Sequence, residues 1–269
     1  LLFCFRIMEK SLKDIQSLQD HRGIALDKVG IRSLRSPITF CNEGQEVSSV
    51  ATWTMTVSLS EEYKGTHMSR FVETLKTNYT FDIAGLLNFP QLLLEKIGGD
   101  KAYIKTEFPY FREKTSPVSG QKSLLDYDLS FEIEASENAT DSILNIHVPI
   151  TTLCPCSKEI SEYGAHNQRG FIRLAVRFEN ILNLNMDQFI SELEELGSAQ
   201  LYSLLKRVDE KFVTEQAYNN PGFVEDVIRE VANYLNKNNK IVWYRVEIEN
   251  EESIHTHNAY ALIEKDKRS

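Results

Sequence analysis

The stretch "SSVATWTMTVSLS" (Ser48–Ser60) decides how this chain is read. Ala51, Trp53, Met55, Val57 and Leu59 fall on every second position, with Thr52, Thr54, Thr56 and Ser58 between them. A period of two is the pattern of a β-strand with one face buried and one face wet. The next stretch, "HMSRFVETL" (67–75), switches to helical spacing through Met68, Phe71, Val72 and Leu75. A second helical stretch, "DIAGLLNFPQLLLEKIGG" (82–99), is expected to kink or restart at Pro90 and to stop at Gly98-Gly99. Alternation returns in "KAYIKTEFPYF" (101–111) and in "LLDYDLSFEIEA" (124–135), where Leu129, Phe131, Ile133 and Ala135 face one way.

The second half runs in the same order. "SILNIHVPI" (142–150) and "FIRLAVRF" (171–178) alternate, and "NMDQFISELEE" (185–195), "AQLYSLLKR" (199–207) and "GFVEDVIREVANYL" (222–235) carry helical stripes. "IVWYRVEIEN" (241–250) and "NAYALIE" (258–264) close the chain as strands. The expectation is an α+β protein of two tandem units, residues 26–138 and 139–269. Each unit would be an antiparallel sheet with helices on one face, preceded by a polar, mobile arm over 1–25. Four-stranded sheets leave edges open, so assembly into oligomeric barrels is expected.

Composition narrows the function. The 269 residues are 42% hydrophobic and 26% charged, with a formal net charge of −9. That balance fits a globular chain and argues against binding nucleic acid by phosphate neutralisation. No apolar run approaches the ~20 residues of a membrane-spanning helix. The opening "LLFCFRI" lacks the flanks of a signal peptide, so the natural start is expected at Met8, with residues 1–7 foreign to it. Four cysteines, two of them isolated at Cys4 and Cys41, are no secreted disulfide framework, which points to the cytoplasm.

The other two cysteines stand in "TTLCPCSKEI" (151–160), with "GAHNQRG" (164–170) close behind. A disulfide across the single Pro155 would be strained. Cys154, Cys156 and His166 are suitable ligands for zinc or a similar metal, but the stretch holds too few donors to close a four-ligand structural site. An open site completed by a carboxylate and water suits the inventory better. Three acidic stretches accompany it. Asp209, Glu210 and Glu215 lie in "KRVDEKFVTE" (206–215), read as following a helix and, on local grounds, as a solvated face. Glu225 and Asp226 stand at a helix start, where the dipole alone favours acids. "ENEESIHTHNAY" (249–260) combines acids with His255 and His257, which share a face if the strand continues.

"TTLCPCSKEISEYGAHNQRG", "LLKRVDEKFVTEQAYNNPGFVEDVIR", "NEESIHTHNAYA" and "KGTHMSRFVETL" together resemble the signature segments of GTP cyclohydrolase type IB, in order from about Gly23 to Glu264. The resemblance implies the tunnelling fold, two modules in one polypeptide and a homotetramer. It implies hydrolysis of GTP to 7,8-dihydroneopterin triphosphate and formate, the first pterin-forming step of the folate pathway. Water attacks C8 of the purine, the imidazole ring opens, formate leaves, and the ribose rearranges into the pterin.

The resemblance implies Cys154, His166 and Glu210 as metal ligands, with Cys156 as the alternative thiolate. Cys156 and His255 would move protons, with Glu252 positioning substrate or water. Glu225 would anchor guanine, since a carboxylate accepts from both N1–H and the 2-amino group. Lys64, His67, Arg70 and Arg169 are the cations available for the triphosphate, across a subunit boundary if need be. The implied cofactor is one divalent transition metal, zinc, manganese or iron, with no organic cofactor. Two rivals remain: a relative on the same fold giving a cyclic phosphate product, and a metal-stabilised binding module without turnover.

Overall fold

A computed structural model describes residues 14–268. The expected start at Met8, the seven residues before it and most of the arm lie outside them. Residues 14–25 cross to the 62–65 loop, where Asp20 N–H donates to Glu62 O at 3.0 Å and Lys64 N–H to Leu18 O at 2.9 Å.

Ten strands follow: β1 (Leu26–Asn42), β2 (Gln45–Leu59), β3 (Thr80–Phe81), β4 (Lys101–Thr115), β5 (Lys122–Ser136), β6 (Thr140–Leu153), β7 (Asn167–Phe178), β8 (Ala199–Gln200), β9 (Ile241–Asn250) and β10 (Ala259–Asp266). Six helices are interspersed: α1 (Met68–Leu75), α2 (Ile83–Ile97), α3 (Pro155–Ile160), α4 (Met186–Glu194), α5 (Arg207–Asn219) and α6 (Val224–Lys237). Pairing is antiparallel throughout except between β1 and β3.

The expectation of two tandem modules, each with a sheet of its own, is overturned. The strands form one sheet in the order β10-β9-β7-β6-β5-β4-β2-β1-β3, with β8 beside β6. The expected boundary at 138/139 falls in the turn of the β5–β6 hairpin, where Ser136 N–H donates to Ala139 O at 2.9 Å. Phe131 pairs with Leu144 and Leu129 with Ile146 across it. Both strands bury the same face, so the edges that two separate sheets would have left open satisfy each other. One apolar cluster then runs from Ile38 to Ile248 without a break.

The alternation read in β2 holds, with Ala51, Trp53 and Met55 fully buried. β1 escapes a simple period because its pairing with β2 shifts register between Ile31 and Leu34, next to Ser33 at φ 59°. α2 runs through Pro90 without restarting, capped by Asp82 accepting from Gly85 N–H at 2.7 Å. Phe89, beside that proline, packs on Trp53 and Phe81.

The helical reading of 199–207 is also corrected. Ala199 and Gln200 form β8, residues 201–206 are not helical, and α5 starts only at Arg207. Tertiary partners occupy the local backbone first: Ser198 N–H donates to Thr151 O at 2.9 Å. "KRVDEKFVTE" therefore lies at the start of and within a helix, not after one.

Candidate active site

β6 and β7 end their pairing at Leu153 and Asn167, and one further bond carries them together, from Cys154 N–H to His166 O at 3.1 Å. Pro155 then opens α3, where a missing N–H costs nothing. Cys154 becomes the residue preceding that helix, and its sulfur accepts from Ser157 N–H at 3.4 Å. Ser157 Oγ donates to Cys154 O at 3.1 Å and accepts from His166 N–H at 3.2 Å. The cysteine turn and the histidine are thereby fastened to each other. Cys154 is half-buried, while Cys156 is exposed.

His166 and Gln168 lie on one face of the strand line, and Arg169 lies on the other. On the buried face, His166 Nδ1 meets Gln168 Oε1 at 3.0 Å. The Gln168 amide nitrogen reaches Thr152 Oγ1 at 3.0 Å and Glu252 Oε1 at 3.4 Å. Glu252 arrives there because Glu251 N–H donates to Arg169 O at 2.8 Å, which extends the β7–β9 pairing by one step. At Gly170, paired with Asn250, a Cβ would stand 2.6 Å from Asn250 Oδ1, so any larger residue would force that side chain to move. From Glu251 to Asn258 the chain is a loop rather than a continuing strand. His255 and His257 are exposed in it, their rings stacked with centroids 5.2 Å apart.

α5 lies against the same strand ends. Leu153, Ala199 and Ala217 form a small apolar cluster, with Ala165 and Val213 packed on it. Lys158 ties α3 to α5 by donating to Tyr218 O at 2.6 Å. Asp209, read from sequence within a solvated face, is fully buried. It accepts from Val118 N–H at 2.9 Å, Ser119 N–H at 2.8 Å, Ser119 Oγ at 2.6 Å and Lys206 N–H at 2.8 Å. Burial works to raise its pKa, but these donors outweigh it and hold the carboxyl well below the usual carboxylate range. Asp209 thus anchors the start of α5 to the β4–β5 hairpin. No local period marks it, because three of its four donors come from a turn some 90 residues earlier in the chain.

Glu210, its neighbour, is exposed and its carboxylate has no partner among the described residues. Glu215 is also exposed, 3.8 Å from Lys211. At the start of α6, Asp226 accepts from Phe223 N–H at 3.0 Å, whereas Glu225 points no contact inward and is exposed. Gly222 N–H donates to Leu153 O at 3.1 Å, which sets the α6 start beside the cysteine turn.

Lys64, His67 and Arg70 are elsewhere. They stand at and just before α1, following the C-terminal end of β2. Val57 of β2 pairs with Ala102, Lys101 with Ser136, and Ala135 with Thr140, so that end of the sheet is where β6 begins. Cys154 follows the last residue of β6, 14 residues long, which spans roughly 43 Å at ~3.3 Å per step. At the far end a cavity of about 420 Å³ is lined by Tyr63, Thr66, His67, Arg70, Gly98 and Gly99. His67 Nε2 lies 3.2 Å from Asp14 Oδ2, and the Arg70 side chain is unpaired among the described residues.

For a transition metal, the donor chemistry at the cysteine end fits. A cysteine and a histidine are fastened to each other through their backbones, and the imidazole's Nδ1 is engaged while Nε2 has no partner among the described residues. Among the described residues no three His, Cys, Asp or Glu side chains are gathered closely enough to hold an ion. Glu210, the carboxylate called for by the resemblance, is unrestrained but not brought up to the pair.

A family model described as type I GTP cyclohydrolase folE2 matches residues 12–261. A GTP cyclohydrolase FolE2 of Akkermansia muciniphila is 47% identical over 264 residues, covering 97% of this chain and 100% of the relative. The protein of that name from Syntrophus aciditrophicus is 48% identical over 255 residues, covering 94% and 99%. Among solved structures, uricase from Arthrobacter globiformis is similar at TM-score 0.46 and 9% identity, covering 88% of this chain and 92% of that one. Urate oxidase from Bacillus subtilis 168 is similar at 0.46 and 8%, covering 90% and 99%, and both likenesses are too loose to carry anything further.

Proposed function

This chain belongs to the type I GTP cyclohydrolase family, and from that premise we propose that Cys154 and His166 hold the divalent metal while Cys156 works beside them as a proton carrier. The chain is a hydrolase acting on GTP in folate biosynthesis. The family is metal-dependent, and Glu210, whose exposed carboxylate has no partner among the described residues, is the proposed third ligand. Zinc, manganese and iron all suit one thiolate, one imidazole and one carboxylate.

A divalent metal bound there lowers the pKa of a water and stabilises negative charge developing on the purine. The chain's own residues do the rest. Glu252 accepts from Gln168 and keeps its second oxygen for substrate or water. Cys156, exposed beside the half-buried Cys154, exchanges a proton with the opening imidazole ring, and His255 on the 251–258 loop serves the later transfers. Glu225 faces solvent at the α6 start and accepts from guanine N1–H and the 2-amino group.

The observation that carries this reading is the bonding of Cys154 and His166 to each other through backbone and Ser157. The triphosphate contacts at Lys64, His67 and Arg70 are assigned to a second copy of the chain, because within one copy these three stand at the end of the sheet away from Cys154. A homotetramer in the cytoplasm is the proposed working form; no described helix is long and apolar enough to cross a membrane.

Purified protein incubated with GTP and Mn²⁺ or Zn²⁺ should release formate and, after oxidation, give pterin fluorescence. A cyclic phosphate product would replace this reading with that of the rival relative on the same fold. Metal removal should leave a folded, inactive protein; unfolding on removal would support the binding module instead.

A further inference from the structure

We infer that Gln168 is a positioning residue that sets the tautomer of His166, placing the proton on Nδ1 and leaving the Nε2 lone pair free. The inference rests on the proposal that His166 is a metal ligand, and extends it to a residue outside the ligand set. Gln168 is only 9% exposed, so its amide must find its partners within the protein. Its nitrogen end lies 3.4 Å from Glu252 Oε1, and an ionised carboxylate has no hydrogen to give. That end of the amide must therefore be the NH₂ group. Its other hydrogen points to Thr152 Oγ1 at 3.0 Å, on a residue with no exposed surface.

The carbonyl end is then left facing His166 Nδ1 at 3.0 Å, and a carbonyl only accepts. A neutral imidazole carries one N–H, so it sits on Nδ1. Nε2 becomes the unprotonated nitrogen, the form a metal ligand needs. Ser253 Oγ, at 3.5 Å from the same Nδ1, is at the outer limit of a hydrogen bond and does not compete with the amide. The same Gln168 side chain thus connects His166 on β7 to Glu252 beyond β9. Loss of a group that orients a ligating histidine costs about 10- to 100-fold in metal affinity.

The experiment compares wild type, Gln168→Leu, Gln168→Glu and His166→Ala, all as full chains stripped of metal. The tautomer of His166 is read by ¹⁵N NMR of the imidazole, and Zn²⁺ affinity by competition with a chelator. Wild type should show the Nδ1–H form alone. Gln168→Leu should show a mixture of tautomers and bind Zn²⁺ about 10- to 100-fold more weakly. Gln168→Glu, which keeps an acceptor toward Nδ1, should restore the Nδ1–H form. A Gln168→Leu protein with the wild-type tautomer and Zn²⁺ affinity would overturn the inference. If that variant does not fold, an Nε2–H ring in Gln168→Glu or in wild type does so equally. Should His166→Ala bind Zn²⁺ as wild type does, the ligand reading fails on its own, and the tautomer comparison still decides the role of Gln168.

Discussion

Two polar regions of the molecule are treated in opposite ways. Between β4, β5 and α4, Glu194 is 1% exposed and accepts from Lys114 Nζ at 2.7 Å, Tyr127 OH at 2.7 Å and Arg112 Nη1 at 3.4 Å. Lys114 Nζ also donates to Gln200 Oε1 at 3.0 Å, and Arg112 to Ser191 Oγ. Burial pushes the Lys114 pKa down, against the pull of Glu194. Every charge there is answered by the protein, as burial demands. At the cysteine turn and the starts of α5 and α6, by contrast, Cys156, His166 Nε2, Glu210 and Glu225 have no protein partner among the described residues. The first cluster joins the two halves of the chain; the second keeps its capacity for what comes from outside.

The largest effect should come from the open cluster. Cys156→Ala should lower formate release by about 10²- to 10⁴-fold. An exposed position of this kind changes stability by less than about 0.5 kcal/mol, so Tm should barely move. Near-normal turnover would remove Cys156 from the proton-carrying role and blur the contrast between the clusters.

The closed cluster should respond in the reverse sense. Glu194→Ala leaves Lys114 buried and unpaired, which costs about 3–5 kcal/mol. That corresponds to a fall in Tm on the order of 10 °C for a chain of this size. Formate release per folded molecule should hold. Adding Lys114→Met should recover much of the Tm, and failure to do so would mean that the charge pair is not what the loss reports.

A smaller effect is expected from pH. Burial, reinforced by the negative charge of Glu194, raises the Tyr127 hydroxyl well above its ordinary value of 10.0. A group whose folded pKa is raised contributes its stability below the unfolded value and loses it as pH climbs through the folded one. Tyr127 should therefore contribute fully below about pH 10, and progressively less above it. Tyr127→Phe should lower stability by about 1.5–3 kcal/mol at pH 8 and narrow its gap to wild type above pH 10. A gap that stays constant in Tm series from pH 8 to 11 would break the link between this hydroxyl and Glu194.

Much of the candidate site was legible as residue types. Cys154, Cys156 and His166 stand out by spacing alone, and the turn that holds them is local, closed by Ser157 and Pro155. Asp209 and Glu210 were not separable in the sequence. One is buried under four donors and the other faces water, because three of those donors arrive from the β4–β5 hairpin. Gln168 passed unnoticed for a similar reason. A glutamine on an alternating strand has no signature until Thr152 and Glu252 are seen on either side of it.

By itself the sequence determined which residues alternate, which recur every three to four, and which side chains could hold a metal or move a proton. These are properties of a few neighbouring residues. Only the tertiary structure decided that the two halves share one sheet, that Glu252 reaches Gln168, and that Lys64, His67 and Arg70 stand a strand's length from Cys154. Those outcomes depend on which open strand edge pairs with which. Backbone groups far apart in the chain settle that by satisfying one another, and no local period records the choice.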